Sequence, residues 1–220
     1  MKSAVKRREE SNEKIMKLGI ECFPELPTIE EASDVKLKSV DEICRRAIAS
    51  LLSIQLACDI IEGNDYDESR DYFITFLKQF EEEDYLLEKE KKLFDGTYTM
   101  ADAVNVSWTY ESYWALCWAL GLINKMGYPK DVCNTKIAIS FVSICNSYND
   151  FKKKVKLRDV EEILDMLDLY YRYHWATVEN SMTGTTEIKD LNIEVVAERR
   201  RGLEWLIKSN DDWFEITLNT

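Results

Sequence analysis

Ser107-Trp-Thr-Tyr-Glu-Ser-Tyr-Trp-Ala-Leu-Cys-Trp-Ala-Leu-Gly121 is apolar on nearly every side of a helical wheel. A helix sustains that pattern only when protein surrounds it. Continued to Met126, the stretch predicts the buried central helix of an all-α, multi-helix bundle. Its nearly uninterrupted apolar run, Tyr113 to Ile123, has about half the length needed to cross a bilayer and so reads as core, not as a membrane span. One charged residue lies in Ser107–Gly121, Glu111. So placed, a carboxylate must find a partner or take up a proton, although its position near a helix start lowers the cost.

Upstream of this segment, Tyr66 to Phe80 and Tyr85 to Phe94 have apolar residues at helical spacing on either side of the acidic Glu81–Asp84, and Thr97 to Asn105 reads as a loop. Ser39 and Glu42 have the spacing of a capping box and start a helix that runs to Glu62, before Gly63 and Asn64. Pro24 and Pro27 make Cys22 to Asp34 an extended connection. Ser3 to Leu18, heavily charged, reads as a surface helix stopped by Gly19.

Downstream, Asp131 to Cys145 contains β-branched residues that suit helix or strand, and helix is expected. Asp159 opens a helix to Val178, Glu179 to Asn192 form a loop, and a last helix covers Glu194 to Lys208. Trp213 and Phe214 make the tail too apolar to stay loose in water, so it is expected to dock back.

Composition agrees with this reading. At 220 residues and 45% hydrophobic, the chain suffices for one domain over 1–220. Seven Gly and three Pro leave too little turn chemistry for an all-β fold. The formal charge of −12 opposes a phosphate backbone, so no nucleic acid partner is expected; the basic run Lys152 to Arg158 reads as a solvated linker. Met1 to Ile20 builds no apolar signal segment, and the six cysteines are scattered without a Cys-x-x-Cys pair. Reduced thiols in a cytoplasmic protein follow, with no zinc site and no cofactor expected.

Val35-Lys-Leu-Lys-Ser-Val-Asp-Glu-Ile43 is similar to Val155-Lys-Leu-Arg-Asp-Val-Glu-Glu-Ile163. The match fades on either side, which favours two helix starts of one kind over a duplication into weakly related halves.

Candidate site residues cluster on the last two long helices. On a wheel, Val160, Ile163, Leu164, Leu167, Tyr170, Tyr171, His174 and Val178 form one apolar stripe, and Glu161, Asp165, Asp168 and Arg172 edge it at spacings that let neighbours touch. Asp168 and Arg172 are expected to form an ion pair at the rim of the core. The acidic row suits a magnesium ion in a phosphohydrolase, but acids near a helix start also complement its dipole, and no metal is expected. His174, the only histidine, lies within Tyr171-Arg172-Tyr173-His174-Trp175 and is expected to be buried, bonded to a carboxylate or carbonyl. In Glu198-Arg-Arg-Arg201 the cations sweep around the axis, so at least one faces inward; Glu111 with Arg199 or Arg200 is the expected pair.

Trp108-x-Tyr-Glu-x-x-x-Ala-Leu-x-Trp-Ala-Leu-Gly121, Glu161-Glu-Ile-Leu-Asp165, Asp168-Leu-Tyr-Tyr-Arg-Tyr-His-Trp-Ala176 and Glu198-Arg-Arg-x-x-Leu-x-Trp-Leu206 resemble a bacterial domain-of-unknown-function family, number 4272. Weaker similarity at Leu18-Gly19-Ile20, Leu26-Pro27 and Val35 to Ile43 extends it over nearly the whole chain. The resemblance implies a shared fold unit in a cytoplasmic, bacterial setting and brings no assigned activity. Where that pattern leads one to expect an arginine before the Tyr-Glu pair, this chain has Thr109.

Two functions compete. One is a non-enzymatic binding or accessory protein, such as a toxin-neutralising factor, whose acidic surface meets a basic protein partner. It is favoured because no phosphate-binding glycine loop, nucleophile elbow or zinc motif is present. The other is a small-molecule enzyme with Glu111, His174 and Arg172 or Arg200 around a pocket walled by Trp108, Tyr171 and Trp175.

Overall fold

A computed structural model describes residues 2–210 and 212–220, among which every regular element is helical. In chain order these are α1 Ala4–Lys17, α2 Val40–Glu62, α3 Tyr66–Phe80, α4 Glu88–Asp95, α5 Met100–Trp108, α6 Tyr110–Ala119, α7 Thr135–Ser143, α8 Tyr148–Lys152, α9 Val160–Thr183 and α10 Ile193–Ile207. Single 3-10 turns lie at Glu83–Tyr85 and Trp213–Glu215. No helix among the described residues is long and apolar enough to cross a membrane.

The chain divides into two units of interleaved sequence. The first comprises Met1–Lys38, Lys125–Val132 and Arg158–Thr220; the second comprises Ser39–Asn124 and Cys133–Leu157. The two similar stretches are crossing points between the units. Lys38 leads into Ser39, the cap of α2, and Leu157 and Arg158 lead into Asp159, the cap of α9.

In the second unit α2 is the hub, packing against α3, α4, α5, α6 and α8. Its start is the expected capping box: the Ser39 hydroxyl accepts from the Glu42 amide at 3.2 Å, and the Glu42 carboxylate accepts from the Ser39 amide at 2.7 Å. Two arginines, Arg46 buried and Arg45 half-buried, anchor its neighbours. Arg46 donates to both carboxylate oxygens of Glu90 at 2.6 Å. Arg45 donates to the carbonyls of Phe80 and Glu81 at the end of α3 and to Glu82, with its guanidinium 3.6 Å from the Tyr148 ring centroid.

Several expected boundaries change. The central helix is two, since Thr109 interrupts it and its hydroxyl bonds back to the Val106 carbonyl at 2.7 Å. All of Glu111–Ala119 in α6 is buried, as expected, but the helix stops before Gly121, which takes a φ of +71°. The expected loop 97–105 starts α5 instead, because Thr99 and Asp102 form a capping box. The helix expected from Tyr85 begins at Glu88, where the Glu90 carboxylate accepts from the Leu87 amide at 2.8 Å. Residues 131–145 are helical as expected, over Thr135–Ser143, and the short α8 precedes and includes the first lysine of the basic run.

In the first unit α9 lies between α1 and α10 and packs against both. It runs to Thr183 rather than Val178, ending at Gly184 with φ +69°. The helix α1 is not purely a surface helix: Ala4, Arg7, Ser11 and Ile15 form a buried stripe. The tail docks as expected. Trp213 is buried with its ring centroid 6.3 Å from that of Trp205, and Arg201 donates to the carbonyls of Trp213 and Ile216.

Candidate functional site

Side-chain periodicity on α9 places the acidic row where α1 can reach it. Asp165 and Glu161 are half-buried and taken by α1 and the residues just before it: Arg7 donates to Asp165 at 3.0 Å and Glu161 at 2.6 Å, and Lys2 to Asp165 at 2.6 Å. Asp168 and Arg172 are the expected pair, with Nε and Nη2 of Arg172 donating at 3.0 and 2.8 Å. Both are 0% exposed, so the pair lies in the core and not at its rim. The row therefore consists of counter-ions to three cations, which accounts for its charge without magnesium.

His174 and Arg200 come together one helix apart. Arg200 Nη1 is 2.8 Å from His174 Nδ1, with the two residues 5% and 7% exposed. A guanidinium has no acceptor, so Nδ1 must accept and the ring proton resides on Nε2. The expected carboxylate or carbonyl partner is replaced by a cation because α10 directs Arg200 to the ring. Burial first, then Arg200 and Arg201, depress the His174 pKa to about 4. The imidazole is neutral near pH 7.

The cations of the 198–201 run separate, two of them inward. Arg199 donates to the carbonyl of Gly127 and the hydroxyl of Tyr170, both at 3.2 Å. Arg201 pairs with Glu198 at 3.1 Å. Arg200 also donates to Glu204 at 3.2 Å and to the Asn219 carbonyl at 2.9 Å, and its guanidinium is 4.7 Å from the Tyr171 ring centroid. Glu204 went unread in the sequence, although its i, i+4 spacing from Arg200 is the signal for such a pair.

Trp175 is half-buried near Phe23, ring centroids 6.5 Å apart. Glu111 and Trp108 belong to the second unit, where Trp108 is exposed and Glu111, buried, accepts from the Cys133 amide at 2.5 Å. The expected partners Arg199 and Arg200 belong to the first unit. Cysteine chemistry is disfavoured by burial, which raises the Cys22 and Cys58 thiols to about 11 and those of Cys44 and Cys117 to about 12.

Tyr171, Arg200 and Glu204 open onto a cleft of about 410 Å³, completed by Pro27, Ile29, Glu30, Lys208 and Asn219. Lys208 bridges Glu30 at 2.7 Å and Glu204 at 3.7 Å.

A different surface is built on α3 of the second unit. Ser69, Leu77 and Phe80 bury one side of this helix. On the flank, Glu68, Tyr72 and Phe76 follow at four-residue spacing; Tyr72 is 59% exposed, and its ring meets Phe76 edge-on at 4.9 Å. Asp65 to Asp84 holds eight acids against Arg70 and Lys78, so these residues carry half of the net charge of −12.

These features define an all-α protein with an internally compensated polar interior, a charged cleft and an acidic aromatic ridge. Residues 7–216 match the family described as Domain of unknown function (DUF4272), and the chain belongs to it. No curated protein and no solved structure matches the chain.

Proposed function

We propose that this protein is a non-catalytic binding factor that takes a basic, amphipathic protein segment on the α3 ridge. The observation that carries the reading is the exposed Tyr72 ring packed edge-on against the half-buried Phe76, beside Glu68 and Asp71, on the most acidic stretch of the chain. Exposed aromatic rings supply buried area on association, and surrounding carboxylates select and steer a cationic partner. The α9–α10 cluster supports the same reading, since its acids and cations compensate one another and His174 is occupied as an acceptor. A cytoplasmic setting belongs to the proposal and rests on six free cysteines.

The test is a titration of isotope-labelled protein with a synthetic helix bearing one lysine face and one leucine face, beside an oligolysine of equal charge. Amide shifts should concentrate on α3, and Tyr72→Ser and Asp71→Asn should each weaken binding by about tenfold. Oligolysine should bind more weakly and dissociate with added salt. Shifts centred elsewhere, or equal affinity in the Tyr72→Ser protein, would overturn the proposal.

A further inference from the structure

We infer that the cleft of Tyr171, Arg200 and Lys208 is a binding site for a small zwitterion with a carboxylate and an ammonium a few ångströms apart, as in a free α-amino acid. The site lies within the first unit, and the inference is independent of the α3 reading.

Arg200 is preorganised to receive an anion. His174 holds Nη1 from within the core, Glu204 holds the Nε edge, and Tyr171 lies against the guanidinium face. Beside its Glu204 contact, Nη2 donates to a neutral acceptor, the Asn219 carbonyl at 2.9 Å, and Asn219 is exposed. A carboxylate forms a charge-assisted bond roughly twice as strong as one to a neutral carbonyl and so displaces it. Because the arginine is already immobile, little ordering accompanies binding.

The acids decide which anions fit. Glu30 and Glu204 line the same cleft as Arg200 and Lys208, so its charges balance. A simple anion meets repulsion from two carboxylates, and a simple cation meets it from Arg200 and Lys208. A molecule bearing both charges satisfies each, its carboxylate on Arg200 and its ammonium on Glu30. Entry requires opening the Glu30–Lys208 bridge, whose side chains are 42% and 43% exposed. Exposed pairs of this kind are held weakly and open readily. Freed Lys208 then adds to the carboxylate. The volume of about 410 Å³ suits a small ligand, and Pro27 and Ile29 provide an apolar wall for its side chain.

The experiment titrates each common α-amino acid, one at a time to about 10 mM, into labelled full-length protein and follows amide shifts, a range that detects millimolar affinity. At least one should shift Ile29, Tyr171 and Lys208 together. For that amino acid, the deaminated acid and the decarboxylated amine should each bind at least about tenfold more weakly. Glu30→Gln, at a half-exposed position, should keep the melting temperature, weaken the amino acid by about fivefold and abolish discrimination against the deaminated acid. The proposal is overturned if no amino acid shifts these residues, if the deaminated acid or the amine binds as tightly as the amino acid, or if Glu30→Gln binds like the parent protein.

Discussion

His174 Nδ1 accepts from Arg200 Nη1 at 2.8 Å, which makes a neutral imidazole part of the support of a buried cation. Protonation would set two cations against each other, and the pKa falls from the ordinary 6.5 to about 4. A basic group depressed on folding contributes stability that is complete above its unfolded pKa and is lost as pH falls from about 6.5 through 4. Urea unfolding should show the advantage of the parent protein over His174→Gln shrinking by up to about 3 kcal/mol between neutral pH and about pH 4. The difference between the two proteins is the quantity to measure. Burial raises the Glu82 carboxyl to about 8 and tilts both profiles the other way, destabilising as pH rises. Parallel profiles would mean that the ring takes up a proton as readily in the folded state as in the unfolded one.

Asp168 and Arg172 are fully buried partners four residues apart. Asp168→Ala should cost about 3–5 kcal/mol, because it strands a guanidinium in the core. Asp168→Leu combined with Arg172→Met should recover most of that loss. Denaturant midpoints of the single and double variants decide it. A single variant within about 1 kcal/mol of the parent would show a solvated pair.

Glu111 accepts from the buried Cys133 amide within the second unit. Glu111→Ala withdraws that acceptor and should cost about 1–3 kcal/mol. Glu111→Gln keeps an acceptor oxygen and should lose less. Equal losses in chemical denaturation would show that the negative charge, not the amide contact, carries the contribution.

Gly121 and Gly63 both adopt left-handed backbone, with φ of +71° and +78°, but a Cβ at Gly121 would meet the Lys156 carbonyl at 2.6 Å, whereas one at Gly63 meets nothing within 4 Å. Gly63→Ala should cost about 1–2 kcal/mol for the backbone conformation alone. Gly121→Ala should cost roughly 1–3 kcal/mol more, because backbone atoms must move apart. Equal melting temperatures for the two variants would refute the steric argument.

Much of the fold is carried by short-range signals. Ser39 with Glu42 and Asp159 with the Glu162 amide set the starts of α2 and α9, since a cap is satisfied within one helical turn. The Asp168–Arg172 pair follows from i, i+4 spacing in the same way. The Thr99–Asp102 box is equally local, but its acid is Asp where the usual box has Glu or Gln, which makes the signal weaker. Of the candidate cluster, Tyr171, His174 and Arg200 do meet, whereas Glu204, Lys208 and Glu30 went unread.

The sequence by itself determined the helical class, the family, the principal caps and the burial of α6 and α9, because each depends on periodicity, spacing or a motif within a few residues. Tertiary structure alone decided that Arg7 takes Glu161 and Asp165, positions 154 and 158 residues away. It also decided that Gly121 ends α6 against the Lys156 carbonyl, and that residues 27–30, 171, 200, 204, 208 and 219 close one cleft. Charge and hydrogen-bonding capacity are written locally, but a partner is chosen by whichever element packs alongside. That choice depends on the burial of whole helix faces, which no single stretch of sequence encodes.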